Sequence, residues 1–327
     1  MRVLIFGATG FAGRYLVDEL WRRGCDVIGA GRRVDAAAEA RHPIALDALP
    51  MHRCDVTDPA QVRAVLASSR PDAAVLLSGV ASPPLANRDP RRAYAVHAMG
   101  AVNVLEEVAI AAPRRIRVLV VTSSEAYGSS GIHGSPLDEE AALRPTTIYA
   151  ASKAASDLAA GAFASARGVD VIRVRPFNHT GPGQRPDFVC PDFAGQVAAI
   201  ASGRRPPVIE VGNLDVTRDF LDVRDVARGY ADALERGRSG EIYNLCSGHG
   251  VTIRSILDDL CALAGVRPEI RVLPERHRAA EVPAYWGSGA RAAAALRWVP
   301  TIPWRRTLAD LLDWCRKNEG VGQARVE

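Results

Sequence analysis

The sequence predicts an α/β protein: a doubly wound parallel sheet with helices on both faces, then a smaller C-terminal α/β portion. Three observations predict it. Short apolar runs alternate with amphipathic helical stretches as far as Val174, the pattern of a parallel sheet. Gly7, Gly10 and Gly13 directly follow the first apolar run and open a helix. After Arg175 the alternation gives way to segments rich in Pro, Gly and Arg, with helices set among them.

Arg2 to Phe6 reads as a buried parallel strand. Gly7-Ala8-Thr9-Gly10-Phe11-Ala12-Gly13 follows, then an amphipathic helix through Leu20. Gly7 allows a tight turn, Gly10 lets backbone approach a pyrophosphate, and Gly13 lets the helix pack close to the strand. The free N–H groups of that helix start suit phosphate oxygens. Gly7, Thr9, Gly10, Phe11, Ala12 and Gly13 are therefore candidate dinucleotide contacts, and the unit is Rossmann-like. The second strand, Asp26 to Gly29, leads to Arg32-Arg33, where NAD-binding units carry an acidic residue for the ribose 2′-hydroxyl. Two guanidiniums suit a 2′-phosphate, so NADP is the expected cofactor, with NAD the alternative. Cys54 to Asp58 closes a third strand, with Asp55 and Val56 placed for the adenine; Asp58-Pro59 starts a helix. Ala73 to Leu77 is the fourth strand, ending at Ser78 and Gly79 beside the expected nicotinamide ribose.

A long helix is expected over Ala93 to Ala111, a fifth strand over Arg117 to Thr122 and a sixth over Val169 to Val174. Pro176 completes the candidate cofactor set. Further helices are expected near Phe193–Ala201, Val223–Glu235 and Thr252–Leu263. Residues 1–176 and 215–246 would form the dinucleotide-binding portion. Residues 177–214 and 247–327 would form a smaller portion over the carboxyl edge of the sheet, where ligands sit in such folds.

Composition narrows the function. The chain has 327 residues, 48% hydrophobic and 24% charged, with net charge +4, as in ordinary globular proteins. No basic run alternates with aromatics, which argues against nucleic acid as a partner. The six cysteines show no Cys-x-x-Cys pair and no zinc spacing, so no metal site is expected and a reduced, cytoplasmic setting is. No apolar run approaches the ~18 residues of a membrane span.

Within the last predicted helix before the sixth strand lies Tyr149-Ala150-Ala151-Ser152-Lys153. Residues four apart share a helix face. An ammonium beside a phenol is expected to lower its pKa, and a tuned tyrosine can exchange a proton with a sugar hydroxyl or ketone. Seven tyrosines and two lysines make one chance Tyr-x-x-x-Lys about a 4% event, so spacing alone is weak. Base usage sharpens it. Of 41 basic residues only Lys153 and Lys317 are lysines. A Lys at 153 points to a role for a compact point charge that a planar guanidinium does not fill. Ala154, Ala155, Ala159, Ala160 and Gly161 along the same helix permit close helix approach, and a homodimer is expected.

With these residues in place, the chain resembles an extended short-chain dehydrogenase/reductase acting on nucleotide sugars, over essentially its whole length. The strings RPFNHTGPGQ (175–184), VGNLDVTRDFLDVRDV (211–226), YNLCSG (243–248) and RAAEVP (278–283) are most similar to the branch holding GDP-4-keto-6-deoxy-mannose reductase and GDP-mannose 4,6-dehydratase. The resemblance implies that Ser123 hydrogen-bonds the substrate oxygen at carbon 4, beside Tyr149 and Lys153. It implies Ser124, Asn178, Arg218, Arg278 and Glu281 as substrate contacts, the arginines on the diphosphate. It implies NADP-dependent reduction at carbon 4 of a GDP-4-keto-6-deoxy-hexose. Glu125 stands where dehydratases of this group carry a base, so a 4,6-dehydratase remains open, as does a 4-epimerase; both retain their cofactor. A non-enzymatic cofactor sensor is a third reading, opposed by the intact Ser–Tyr–Lys set. The chain departs from the family pattern at His97, where Asn is usual, and at Leu76, where many relatives carry His. His97 either reshapes the nicotinamide side of the pocket or is a satisfied helix histidine.

Overall fold

The computed structural model describes residues 1–34, 42–111, 115–276 and 282–318. The chain opens with β1 (Arg2–Phe6), α1 (Phe11–Arg22), β2 (Asp26–Gly31), β3 (Met51–Arg53), α2 (Pro59–Ser69) and β4 (Ala73–Leu76). Three short pieces follow: α3 (Pro83–Arg88), α4 (Pro90–Tyr94) and a π-helical turn over Ala95–Met99 that runs into α5 (Gly100–Ile110). Next come β5 (Arg117–Val121), α6 (Ile148–Arg167), β6 (Val171–Pro176) and β7 (Asn178–Thr180). Then follow α7 (Val189–Ala201), β8 (Val208–Val211), β9 (Thr217–Asp222), α8 (Val223–Arg236) and β10 (Ile242–Leu245). The chain continues through β11 (Gly250–Thr252), α9 (Ile253–Ala264), β12 (Glu269–Val272), β13 (Ala284–Tyr285), α10 (Ala290–Leu296) and α11 (Trp304–Lys317).

The main sheet is parallel and seven-stranded, in the order β3-β2-β1-β4-β5-β6-β10. Its central strands β1, β4 and β5 are largely apolar because both faces are covered. Side chains alternate between faces. Val3, Ile5, Val75, Leu119 and Val121 enter one core, with α1 and α8. Leu4, Phe6, Leu76, Val118 and Val120 enter the other, under α2 and α5. The order reverses between β1 and β4, which opens a crevice at the carboxyl ends of those strands. A separate core joins Phe193, Val197, Ile209, Ile256, Leu260, Leu308 and Leu312, from α7, β8, α9 and α11. Ala292, Leu296 and Trp298 return to the main core, so part of the 247–327 range packs on the large sheet.

The structure corrects several boundaries. The second strand continues past Gly29 to Gly31 because Gly29–Gly31 pairs with β3. The third strand is Met51–Arg53 and ends before Cys54. The helix expected from Ala93 to Ala111 is broken by the π turn, which apolar periodicity does not register. The sixth strand runs Val171–Pro176, two residues beyond Val174.

Candidate active site

Thr147 caps α6, its Oγ1 accepting from the Ala150 N–H at 3.1 Å. That places Tyr149 in the first turn and Lys153 one turn on, facing the same crevice. Deeper in α6, Asp157 is fully buried and anchors the helix to the sheet. It accepts from Arg175 Nε at 2.8 Å, Arg173 Nη1 at 3.1 Å and Thr122 Oγ1 at 3.1 Å. Arg175 also donates to the Tyr127 hydroxyl at 3.0 Å, which ties in the segment after β5 that carries Ser123. A buried carboxylate held by two guanidiniums keeps its geometry, because losing either partner leaves an uncompensated charge.

Ser123, nearly buried, hydrogen-bonds the Tyr149 phenol. Its Oγ also accepts from the Glu125 N–H at 3.1 Å. Lys153 Nζ donates to the Val121 carbonyl at 3.0 Å. Burial, joined by the Glu125 carboxylate, pushes the Tyr149 pKa above the ordinary phenol range. This corrects the expectation that Lys153 draws it down: removal of the phenol from water is the larger effect. Burial lowers the Lys153 pKa to about 8. Tyr149 therefore holds its proton at neutral pH, the form that can donate one.

The opposite wall is the glycine turn. Gly7 has φ +94°, and a Cβ there would lie 2.8 Å from Ser78 N, so the β1 and β4 ends approach too closely for a side chain. A Cβ at Gly13 would overlap the Gly7 carbonyl, so α1 rests against the turn itself. Thr9, Gly10, Phe11 and Ala12 line the crevice with these glycines; Arg32, Arg33, Asp55, Val56, Ser78, Gly79 and Pro176 line it further along. Arg32 and Arg33 are exposed just after β2. Asp55 Oδ1 accepts from the Thr57 N–H and hydroxyl, so that oxygen already serves a turn. A cradle without side chains, a helix start facing it and two arginines at its rim fit a phosphorylated dinucleotide.

Ser124, Glu125, Asn178 and Arg218 line the crevice beyond Tyr149. Tyr285 gathers them. β13 pairs with β9 so that Tyr285 lies beside Arg218, whose guanidinium sits 4.9 Å from the ring centroid. Ser124 and Asn178 both hydrogen-bond the Tyr285 hydroxyl. Asn178 Nδ2 also donates to the Asp219 carbonyl at 3.2 Å. Sequence reasoning missed Tyr285, because only the pairing of remote strands brings it here. Arg278 and Glu281 lie outside the described residues. His179 stacks on Phe11 with centroids 6.1 Å apart, and Tyr15 donates to the Pro182 carbonyl at 2.8 Å, so β7 and the turn after it close against α1. The crevice measures ≈ 1600 Å³. That exceeds the roughly 300–1,000 Å³ of a single small-ligand pocket and leaves room for a second ligand beside a dinucleotide.

A dinucleotide cradle facing a Ser, a Tyr and a Lys across one crevice defines the short-chain dehydrogenase/reductase class. A family model described as the NAD dependent epimerase/dehydratase family matches residues 3–246. The chain belongs to that family. It is 34% identical to GDP-6-deoxy-D-mannose reductase of Pseudomonas aeruginosa, over 96% of this chain and 97% of that one. A solved structure of RMD from Pseudomonas aeruginosa complexed with NADPH matches with TM-score 0.83 and 31% identity, covering 97% of this chain and 99% of that one. UDP-glucose 4-epimerase of Thermus thermophilus, solved with NAD, matches with TM-score 0.84 and 26% identity, covering 97% of this chain and all of that one (100%).

Proposed function

We propose that the chain is an NADP-dependent oxidoreductase that reduces carbon 4 of a GDP-4-keto-6-deoxy-hexose. The observation that carries this reading is the protonated Tyr149, hydrogen-bonded to Ser123 and on the same helix face as Lys153, at the sugar end of a dinucleotide crevice. The likeness to the Pseudomonas reductase over nearly the whole of both chains supports the GDP-sugar assignment. When bound, the nicotinamide supplies the hydride. Tyr149 gives its proton to the carbon 4 oxygen as that oxygen gains charge. Ser123 hydrogen-bonds the same oxygen and stabilises the developing charge. Lys153 presents its ammonium to the nicotinamide ribose. Gly7, Thr9, Gly10, Phe11, Ala12 and Gly13 hold the pyrophosphate, and Arg32 and Arg33 the 2′-phosphate. Asn178 and Arg218 take the sugar and diphosphate. Residues 177–214 and 247–327 carry most of the sugar-nucleotide site, and 1–176 with 215–246 the dinucleotide site.

A second reading rests on Glu125, whose carboxylate acts on both Tyr149 and Tyr285. A base there suits a 4,6-dehydratase, and a 4-epimerase would use the same Ser, Tyr and Lys. Incubation with GDP-mannose and with its 4-keto-6-deoxy form separates the readings. Loss of one NADPH per keto sugar supports the reductase. Conversion of either sugar without added cofactor supports the alternatives.

Arg32→Ala is expected to raise the KM for NADPH about tenfold and to change that for NADH less than about twofold, the size of one charge-assisted contact. Equal losses for both cofactors would refute the 2′-phosphate role. Among the described residues, no helix is long and apolar enough to cross a membrane. The cytoplasm is the proposed location. A homodimer is proposed through α5 and α6, which pack side by side and expose Ile110 and Leu158.

A further inference from the structure

His97 lies on the π-helical turn and is 2% exposed. Such turns recur at functional sites. The Val80 N–H donates to His97 Nε2 at 2.8 Å. His97 Nδ1 lies 2.8 Å from Ser152 Oγ, and Ser152 Oγ donates to the Tyr149 carbonyl at 2.8 Å. These bonds fix the tautomer. Nε2 must be bare to accept from an N–H. Ser152 has one proton and gives it to Tyr149, so it accepts from Nδ1–H. The imidazole is therefore neutral and protonated at Nδ1.

We propose that His97 is a positioning residue, clamping the Ser78–Val80 turn beside the cofactor to the first turn of the helix that carries Tyr149. The ring bridges the Val80 backbone N–H to the Ser152 hydroxyl, which in turn holds the Tyr149 carbonyl. It meets the Tyr149 ring edge-on, at 5.5 Å and 89°. A Cβ on Gly79 would lie 2.9 Å from Nε2, so the turn is packed directly on the imidazole. Of the titratable groups around it, Lys153 is the nearby cation and Tyr149 the neighbouring phenol. Burial and the Lys153 charge lower the His97 pKa to about 2. A second proton would abolish the Val80 bond and set two cations together. The clamp thus stays closed across the working pH range.

The kinetic side of this inference rests on Tyr149 as the proton donor; the clamp itself is read independently. His97→Gln keeps an acceptor near the Nε2 position and gives up Ser152. His97→Asn keeps a donor near the Nδ1 position and gives up Val80. Ser152→Ala breaks the same arm as His97→Gln. Each is expected to lower kcat roughly 10- to 100-fold, as small misplacements of reacting groups do, with the KM for the keto sugar within about twofold. The His97→Gln/Ser152→Ala double variant is expected to be no slower than the slower single, because both cut one arm. The pH profile of kcat should keep its shape, since His97 does not titrate there. Losses that multiply in the double variant, or wild-type kcat in His97→Phe, would overturn the proposal. In the wild-type protein, ¹⁵N NMR should show a proton on His97 Nδ1 and none on Nε2 from pH 6 to 9, and Val80 amide exchange should quicken in His97→Asn. A proton on Nε2, or unchanged Val80 exchange, would overturn it as well. An active Tyr149→Phe enzyme would instead remove the functional reading and leave the clamp to the NMR.

Discussion

Tyr149→Phe is expected to lower kcat roughly 10³-fold while NADPH affinity changes less than about twofold, within the range for loss of a general acid. The reason is positional. Tyr149 has Ser123 on its hydroxyl and the crevice in front of it, and burial with Glu125 keeps it protonated. Phenylalanine keeps the ring contact with His97 and removes the hydroxyl, with its transferable proton and its bond to Ser123. Ser123 can still hydrogen-bond the sugar oxygen, so a residual rate is expected rather than none. Steady-state rates and fluorescence titration with NADPH check both halves. A variant that turns over at more than about a tenth of the wild-type rate would remove Tyr149 from the chemistry.

Lys153→Met is expected to abolish turnover and also to stabilise the protein without cofactor. Lys153 is 8% exposed, and burial lowers its pKa from 10.5 to about 8. A shift of that size corresponds to about 3 kcal/mol of cost for burying the ammonium. Methionine removes this cost but leaves the Val121 carbonyl without its donor, a loss of about 1 kcal/mol. The net expectation is a gain of about 2 kcal/mol at pH 7, seen as a higher Tm. The pH dependence tests the cause. Below pH 8 the cost is fully present, since Lys153 is charged in both states. Between 8 and 10.5 the unfolded chain binds more protons, so wild-type stability rises with pH. The advantage of Lys153→Met should shrink across that window. A variant less stable than wild type at pH 7 would show that the ammonium stabilises the empty fold instead.

Features set by local spacing were legible in the sequence. The turn at Gly7, Gly10 and Gly13 needs only its place after an apolar strand. The Tyr149–Lys153 pair needs only helical spacing and the unusual choice of Lys. The site also depends on contacts between distant segments, which local pattern does not encode. Tyr285 reaches Arg218 only because β13 pairs with β9. Asp157 meets Arg173 and Arg175 only because α6 packs on β6. The π turn at His97 shifts the helix register by one residue, too little to disturb an apolar pattern. The sequence names the charge near Tyr149 and not the depth of its burial, so it points the phenol pKa down where burial raises it. Abundant arginine further hides which guanidiniums face the crevice.

Reducing equivalents are expected to pass from added NADPH to carbon 4 of a GDP-linked keto sugar. Incubation of the wild-type enzyme with NADPH deuterated on the transferable face of nicotinamide carbon 4, followed by NMR and mass analysis of the sugar product, tests it most directly. One deuterium at carbon 4 of the product per NADPH consumed is the expected result. A converted sugar carrying no deuterium from added NADPH would contradict it.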